Sequence, residues 1–397
     1  MATFVRQKTL EVTKPLKLFA LFPLSPDGSR NLHVSVPMLA LSSIICCAYT
    51  VTNVILCMIQ GIFPDNILQT AKIYRFTSIL LNCVPLLSIF ELLNKLEDLN
   101  RLSRFLDVAE SRILELGQRV DYKDSLRHLM FNSCLTVGAF FVRLRKNDVQ
   151  SHRSFLKSLM KTVYKHILLG NMVVLVHWYT TVLGTVDILF SVCKRAVLQW
   201  KMSPSQNIKT IEKLVLIHNI LSMCSRLINK IHGIRVVIII LTSFVFSLSG
   251  AYRSYEILSM AKQGAGVSYY ALLDKLIWVI VCFHLCLQII VTSRSCSREA
   301  KEFNTQLYQL MIDDTTNDIS NNKKLRLHIA MKREVVFTAC GFFTLDYTLV
   351  HSMIAAATTY LVILIQFGQH QSNTSDLSAN SSPFSNTTDL PLSTSTM

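Results

Sequence analysis

Few residues in this chain have the type and spacing for chemistry, and most of them lie in apolar surroundings. Cys282-Phe-His284-Leu-Cys286 sets two thiols one helical turn apart with an imidazole between them, a spacing that can ligate a metal. The same residues pack well between membrane helices, and packing is the reading adopted. Glu91 and Asp187 fall inside hydrophobic blocks, where an acid is paired, functional, or solvated at a block end. His177-Trp178-Tyr179 joins an imidazole to two aromatic rings, a set suited to contacting a small ligand. No nucleophile–base or metal motif rises above these, so no enzyme and no cofactor is expected. Gln366 says most. It ends the run Thr359-Tyr360-Leu361-Val362-Ile363-Leu364-Ile365-Gln366-Phe367, where hydrocarbon disfavours an amide, so Gln366 should face protein or water.

The elements that must position these groups are hydrophobic blocks. Of 397 residues 51% are hydrophobic and 16% charged, against about 25% charged in a soluble domain. The chain reads as an integral membrane protein in contact with the lipid bilayer. Its net charge of +15 does not imply nucleic acid, because the basic residues fill the gaps between apolar blocks. The 11 cysteines are scattered, many within apolar blocks (Cys46, Cys47, Cys57, Cys83, Cys134), so no disulfide framework is expected. The first 32 residues carry Arg6, Lys8, Lys14, Lys17 and Arg30 and show no cleavable signal; the first apolar block should act as a signal anchor.

Seven blocks reach spanning length, near 36–60, 74–94, 127–143, 166–192, 235–253, 274–292 and 344–367. With the N-terminus inside, the larger share of Lys and Arg falls on the cytoplasmic side. The loop 143–165, with its many basic residues, is the exception. The acceptor sequons at Asn373, Asn380 and Asn386 all follow the last block, in a Ser/Thr/Asn-rich tail expected to be disordered and extracellular, with Pro383 weakening the second. Between spans, Leu96, Leu99, Leu102 and Leu106, and again Ile211, Leu214, Ile217 and Leu221, recur at helical spacing and predict amphipathic helices over 95–126 and 194–233. Residues 294–335 read as a helix–loop–helix around a polar break.

Within the last block Thr348, Ser352, Ala355 or Ala356, Thr359, Ile363 and Gln366 form one narrow stripe of small or polar side chains. Such a stripe lets membrane helices approach closely. Around a symmetry axis it would instead line an aqueous path, with Gln366 amides facing a passing cation and Ile363 and Phe367 closing the path by dewetting.

The Thr359-Tyr360 and Gln366-Phe367 pairs around five aliphatics resemble the C-terminal signature of insect gustatory receptors, within the seven-transmembrane insect chemoreceptor superfamily. The resemblance is sequence-specific over about 337–367 and agrees in length and topology elsewhere. It implies an all-α integral membrane fold of seven transmembrane helices, N-terminus cytoplasmic and C-terminus extracellular, with a cytoplasmic helical anchor region and assembly as a tetrameric channel. On that pattern 1–35 is a cytoplasmic segment, 36–292 a six-helix bundle with the ligand pocket and helical extensions, 293–343 the anchor, 344–367 the pore helix and 368–397 the tail. It further implies a tastant-gated nonselective cation channel, homo- or heterotetrameric with related receptors, in the plasma membrane of chemosensory neurons. Bitter compounds are the favoured tastants on family base rate. Thr359, Ile363, Gln366 and Phe367 would form pore and gate, and Tyr360 completes the motif. A pocket in the outer half of the bundle would draw on Phe140, Phe141, His177, Trp178, Tyr179, Tyr252, Tyr255 and Trp278, each of which also suits a core or interface-belt aromatic. An odorant-receptor-like or accessory chemoreceptor subunit, and a G-protein-coupled receptor, stay as alternatives.

Overall fold

The computed structural model describes residues 24–26, 32–60, 68–121, parts of 130–142, 152–202, 208–262, 269–314, 319, 321–331 and 334–379. The elements run β1 (Leu24–Pro26), β2 (Leu32–Val34), α1 (Val36–Gln60), α2 (Leu68–Asn94), α3 (Leu96–Glu115), α4 (His152–Met202), α5 (Ile208–Lys262), α6 (Tyr269–Ile312), α7 (Lys323–Ala330), β3 (Thr338–Ala339), β4 (Phe343–Thr344) and α8 (Tyr347–Ala379). The described residues within 130–142 are helical.

α4, α5 and α6 have 51, 55 and 44 residues. At 1.5 Å per residue they are about 76, 82 and 66 Å long, more than twice the ~30 Å hydrocarbon core of a bilayer. Each apolar half therefore continues into a charged half. The expected amphipathic helix over 194–233 is in fact the C-terminal turns of α4 and the first turns of α5, and Ile211, Leu214, Ile217 and Leu221 are all buried there. α6 carries neither glycine nor proline, so nothing in its sequence stops it at the end of the apolar run.

Among the described residues, four helices are long and apolar enough to cross a membrane: Thr162–Lys201, Ile208–Met260, Tyr269–Ile312 and Tyr347–Gln366. Ser78–Asn94 with Leu96–Glu115 makes a fifth if the bent pair counts as one span. Against the expected seven, Val36–Thr52 is a shorter apolar helix, and the block 127–143 lies only partly within the described residues.

α2 and α3 meet at 72°, with Lys95 at the corner outside helical geometry (φ −110°, ψ 18°). α3 buries Leu99, Leu102, Leu106 and Ile113 as its periodicity requires. It stops at Gly117, whose φ of 71° lets the Gln118 N–H reach back to the Ile113 carbonyl at 3.3 Å. The β1–β2 hairpin is tied to this helix: Asn100 Oδ1 accepts from Leu32 N–H at 2.8 Å, and its amide donates to Leu32 O at 3.0 Å. The core runs through α4, where every residue from Asn171 to Tyr179 is buried, packed between α5, α6 and α2.

Candidate functional site

α8 begins at a capping aspartate. Asp346 Oδ1 accepts from the Thr348 N–H at 2.9 Å and from the Thr348 hydroxyl, while Thr344 donates to Oδ2 at 2.9 Å. The bonds from Thr348 favour the ionised carboxyl and hold it below the usual carboxylate range. Further along, the hydroxyls of Ser352, Thr358 and Thr359 donate to carbonyls four residues back, at 2.9, 2.9 and 3.0 Å. That leaves the helix polar in type yet internally satisfied. Thr359, Tyr360, Ile363 and Gln366 are all exposed, and none of the helix's apolar window is buried by the chain itself. Phe367 is on helical backbone, and its side chain is outside the described set.

The helix runs past Phe367 to Ala379, so Asn373 sits on helical backbone rather than in an unstructured tail; no proline intervenes before Pro383. Asn380 and Asn386 lie outside the described residues.

Immediately before α8, β3 and β4 pair antiparallel, Thr338 opposite Thr344 and Ala339 opposite Phe343. The turn takes left-handed backbone at Cys340 (φ 52°) and Gly341 (φ 79°). Two reciprocal bonds pin this hairpin to α5: Asn229 Oδ1 accepts from Thr338 N–H at 3.0 Å, and the Asn229 amide donates to Thr338 Oγ1 at 3.2 Å. One turn on, a Cβ at Gly233 would meet Cys340 Sγ at 3.0 Å and its backbone nitrogen at 3.4 Å. The missing side chain is what lets the hairpin seat. α7 docks on the same extension. Asn322 caps it through Lys324 N–H at 3.0 Å and donates to Glu212 at 2.7 Å, and His328 Nε2 lies 3.1 Å from Asn304 Oδ1.

The same stretch of α5 faces the bundle with a buried cation. Arg235, with only 3% of its side chain exposed, lies 3.4 Å from Glu91 Oε2, itself 5% exposed. Arg235 also donates to Ser88 O at 3.1 Å, contacts His232 Nδ1 at 3.0 Å, and sits 4.9 Å from the Trp178 ring centroid. Trp178 and Tyr179 meet the His232 ring edge-on at 4.8 and 5.5 Å, and Tyr179 bonds Ser293 at 2.9 Å. His177 is buried beside them. A second string lies toward the C-terminal end of α5. Phe140 meets Phe141 and His166 edge-on at 6.0 and 5.3 Å, His166 meets Trp278 at 5.5 Å, and Trp278 stacks on Phe246 at 5.7 Å. Tyr252 is buried and Tyr255 half-buried farther along α5.

The foreseen ligand residues thus fall into two groups. Thirteen residues of α4 separate His166 from Tyr179, about 20 Å of helix. The acids foreseen inside the blocks are partnered: Glu91 by Arg235, Asp187 by Ser295 at 3.1 Å. Cys282 and Cys286 are buried, and no three His, Cys, Asp or Glu side chains gather as metal donors among the described residues. Sequence reasoning passed over Arg235, His232 and His166. An arginine at the head of the fifth block, with a lone glutamate in the second, was the signal for the first.

The chain is similar to known proteins at both levels. In sequence, gustatory receptor 28a of Drosophila melanogaster is 30% identical over 187 residues, 45% of this chain and 40% of that protein. Gustatory and pheromone receptor 32a of the same fly is 38% identical over 90 residues, 22% of this chain and 19% of that protein. These matches therefore span less than half the length of either relative. In structure, the insect olfactory receptor OR5 from Machilis hrabei, solved in complex with eugenol, superposes with a TM-score of 0.59 at 11% identity, covering 91% of this chain and 98% of that one. The overall fold is thus shared with an insect olfactory receptor. The family model for the 7tm chemosensory receptors matches residues 12–371, nearly the whole membrane-spanning chain, which therefore belongs to that family.

Proposed function

We propose that this chain is a subunit of a tastant-gated, nonselective cation channel, seven-span with its N-terminus cytoplasmic, in the plasma membrane of chemosensory neurons. One observation carries the reading: the last helix has a polar stripe, and no residue of its apolar window is fully buried by its own chain. Four copies around an axis would cover its apolar faces and turn Thr359, Ile363 and Gln366 inward, with Phe367 at the mouth. The tail beyond, with Asn373, Asn380 and Asn386, would then be extracellular and open to glycosylation.

Ligand entry would use the string toward the α5 C-terminus, Phe140, Phe141, Tyr252, Tyr255 and Trp278. The inner group of His177, Trp178, Tyr179, Arg235 and Glu91 would transmit. The transmitting group and the hairpin before α8 grip the same turns of α5, from Asn229 to Arg235, so a shift of α4 against α5 reaches α8 through Thr338 and Cys340. A ligand that binds better to the open arrangement shifts the population toward it. Bitter compounds are the favoured tastants. A short match to the Drosophila melanogaster gustatory receptor for bitter taste 66a, 34% identical over 85 residues, supports this.

The test is whole-cell current from cells expressing this chain, alone and with related receptors, under a panel of bitter compounds and sugars with G-protein signalling blocked. A rapid cation current is expected. Responses that vanish with G-protein block would replace the channel by the G-protein-coupled alternative. An N-terminal tag reachable on intact cells would overturn the topology.

A further inference from the structure

Outside the bundle interior, a groove of about 820 Å³ opens between α3 and α5. Four cations line it: Arg101 and Arg104 from α3, Arg226 and Lys230 from α5. Two acids at its edge take up half of them, Glu97 pairing with Arg101 at 2.5 Å and Asp98 with Lys230 at 2.8 Å. Arg104 and Arg226 spend only Nε, on the carbonyls of Asn100 at 3.3 Å and Ser222 at 3.4 Å. Their terminal guanidinium nitrogens meet no acid among the described residues. Arg104 and Arg226 are both exposed, so those nitrogens are open to an anion from outside the chain.

Apolar surface lies beside the charge. Val108 and Met223 are each 41% exposed in the groove. From Leu227, Ile234 (49% exposed) and Leu241 (44%) continue along α5 at seven-residue steps into the apolar run. Lys230 and Arg226 precede the head of that run at Arg235 by five and nine residues, about 8 and 14 Å of helix. With a headgroup layer about 5–8 Å deep on each side, Lys230 lies at its outer edge and Arg226 about 6 Å farther out, within the distance over which anionic lipid attracts basic residues. α3, turned 72° from the apolar α2, lies across the same level instead of pointing away from the membrane. Cations at and just outside the headgroup layer, with an apolar track leading inward, match a lipid: phosphate at one end, acyl chains at the other.

We propose that this groove binds the phosphorylated headgroup of an anionic bilayer lipid, with its acyl chains laid along Leu227, Ile234 and Leu241. Assigning that lipid to the inner leaflet rests on the N-inside topology proposed above; recognition of the headgroup does not. Arg104 and Arg226 supply planar, bidentate donors to the phosphates.

The test uses the purified full chain in detergent micelles, where either leaflet's lipid has access. The probes are short-chain phosphatidylinositol bisphosphate, phosphatidylcholine of the same chain length, and soluble inositol trisphosphate as headgroup alone, with bound mass read by native mass spectrometry. Saturable binding of the first, at least about tenfold tighter than either other probe, is expected. R104Q/R226Q should weaken it about thirtyfold, about fivefold per guanidinium, with the melting of lipid-free protein unmoved. Should the double variant fail to fold, the exposed single changes R104Q and R226Q each carry their own fivefold loss. Equal binding by native and variant protein overturns the site, and inositol trisphosphate binding as tightly as the lipid replaces it with a free-phosphate site. An extracellular N-terminus on intact cells would remove the inner leaflet and the topology together, leaving the micelle result standing.

Discussion

α4 and α8 are both apolar and long enough to cross a bilayer, yet the most apolar window of α4 is 78% buried within the chain and that of α8 is 0% buried. α4 is hydrophobic on every side and meets α2, α5 and α6, the environment of a helix at the centre of a bundle. α8 meets α5 and α6, with Leu349 and Met353 near its start packed against the core, and the hairpin before it is seated on Gly233. Hydrophobicity alone does not separate the two. What differs is the source of their partners: α4 finds them in its own chain, and α8 has faces left for lipid, for other copies, or for water.

That contrast can be pressed hardest at the buried end. Arg235→Met leaves Glu91 buried without its cation, and losing one partner of such a pair costs about 3–5 kcal/mol. Surface expression should collapse, and Glu91→Gln added to Arg235→Met should restore part of it. A single variant that melts like the native protein would show that this pair does not hold α2 to α5. Gly233→Leu pushes a side chain against Cys340 and should cost about 1–3 kcal/mol by overpacking. Its sharper mark is a ligand-evoked current that falls more than surface expression does, since the hairpin is where the bundle grips α8.

At the exposed end the effects on folding shrink. Asp346→Ala removes a helix cap and should cost about 1 kcal/mol. Because its carboxyl is held below the usual range, the stabilisation is complete above the unfolded carboxylate value of about 3.9. It is lost as pH falls through the folded value. The melting difference between native and variant protein should therefore vanish in strong acid, and a difference that persists there would exclude the carboxylate as its source. Gln366→Ala, on an exposed position, should move stability by less than about 0.5 kcal/mol while changing conductance or ion preference. Unchanged currents at normal surface levels would remove Gln366 from the pore.

Much of the helical framework was readable in advance. The blocks at 166–192, 235–253 and 274–292 fall within helices, and the block at 344–367 does so from Tyr347 on. The periodic leucines and isoleucines of α3 and α5 are buried as their spacing demands, with Leu96 at the start of α3 half-buried. Local pattern carries that information, because burying one face of a helix needs only residues three or four apart. The pairing of Glu91 with Arg235 was not readable, since nothing local links positions so far apart in sequence. Nor was the hairpin, whose strands of two residues each are too short to show alternation. The eight candidate pocket residues were one set by residue type; only the packing of α4 against α6 divides them into groups about 20 Å apart along the helices.

The amino-acid sequence by itself determined that this is a membrane protein of apolar helices, and its last motif pointed to the chemoreceptor family. Apolar runs, their lengths and a terminal signature are written along the chain and need no partner to be recognised. Tertiary structure decided which of those equally apolar helices becomes core and which stays bare, where a buried arginine finds its acid, and which cations converge on one groove. Those outcomes depend on contacts between residues far apart in the chain, and only packing brings them within the few ångströms over which such contacts act.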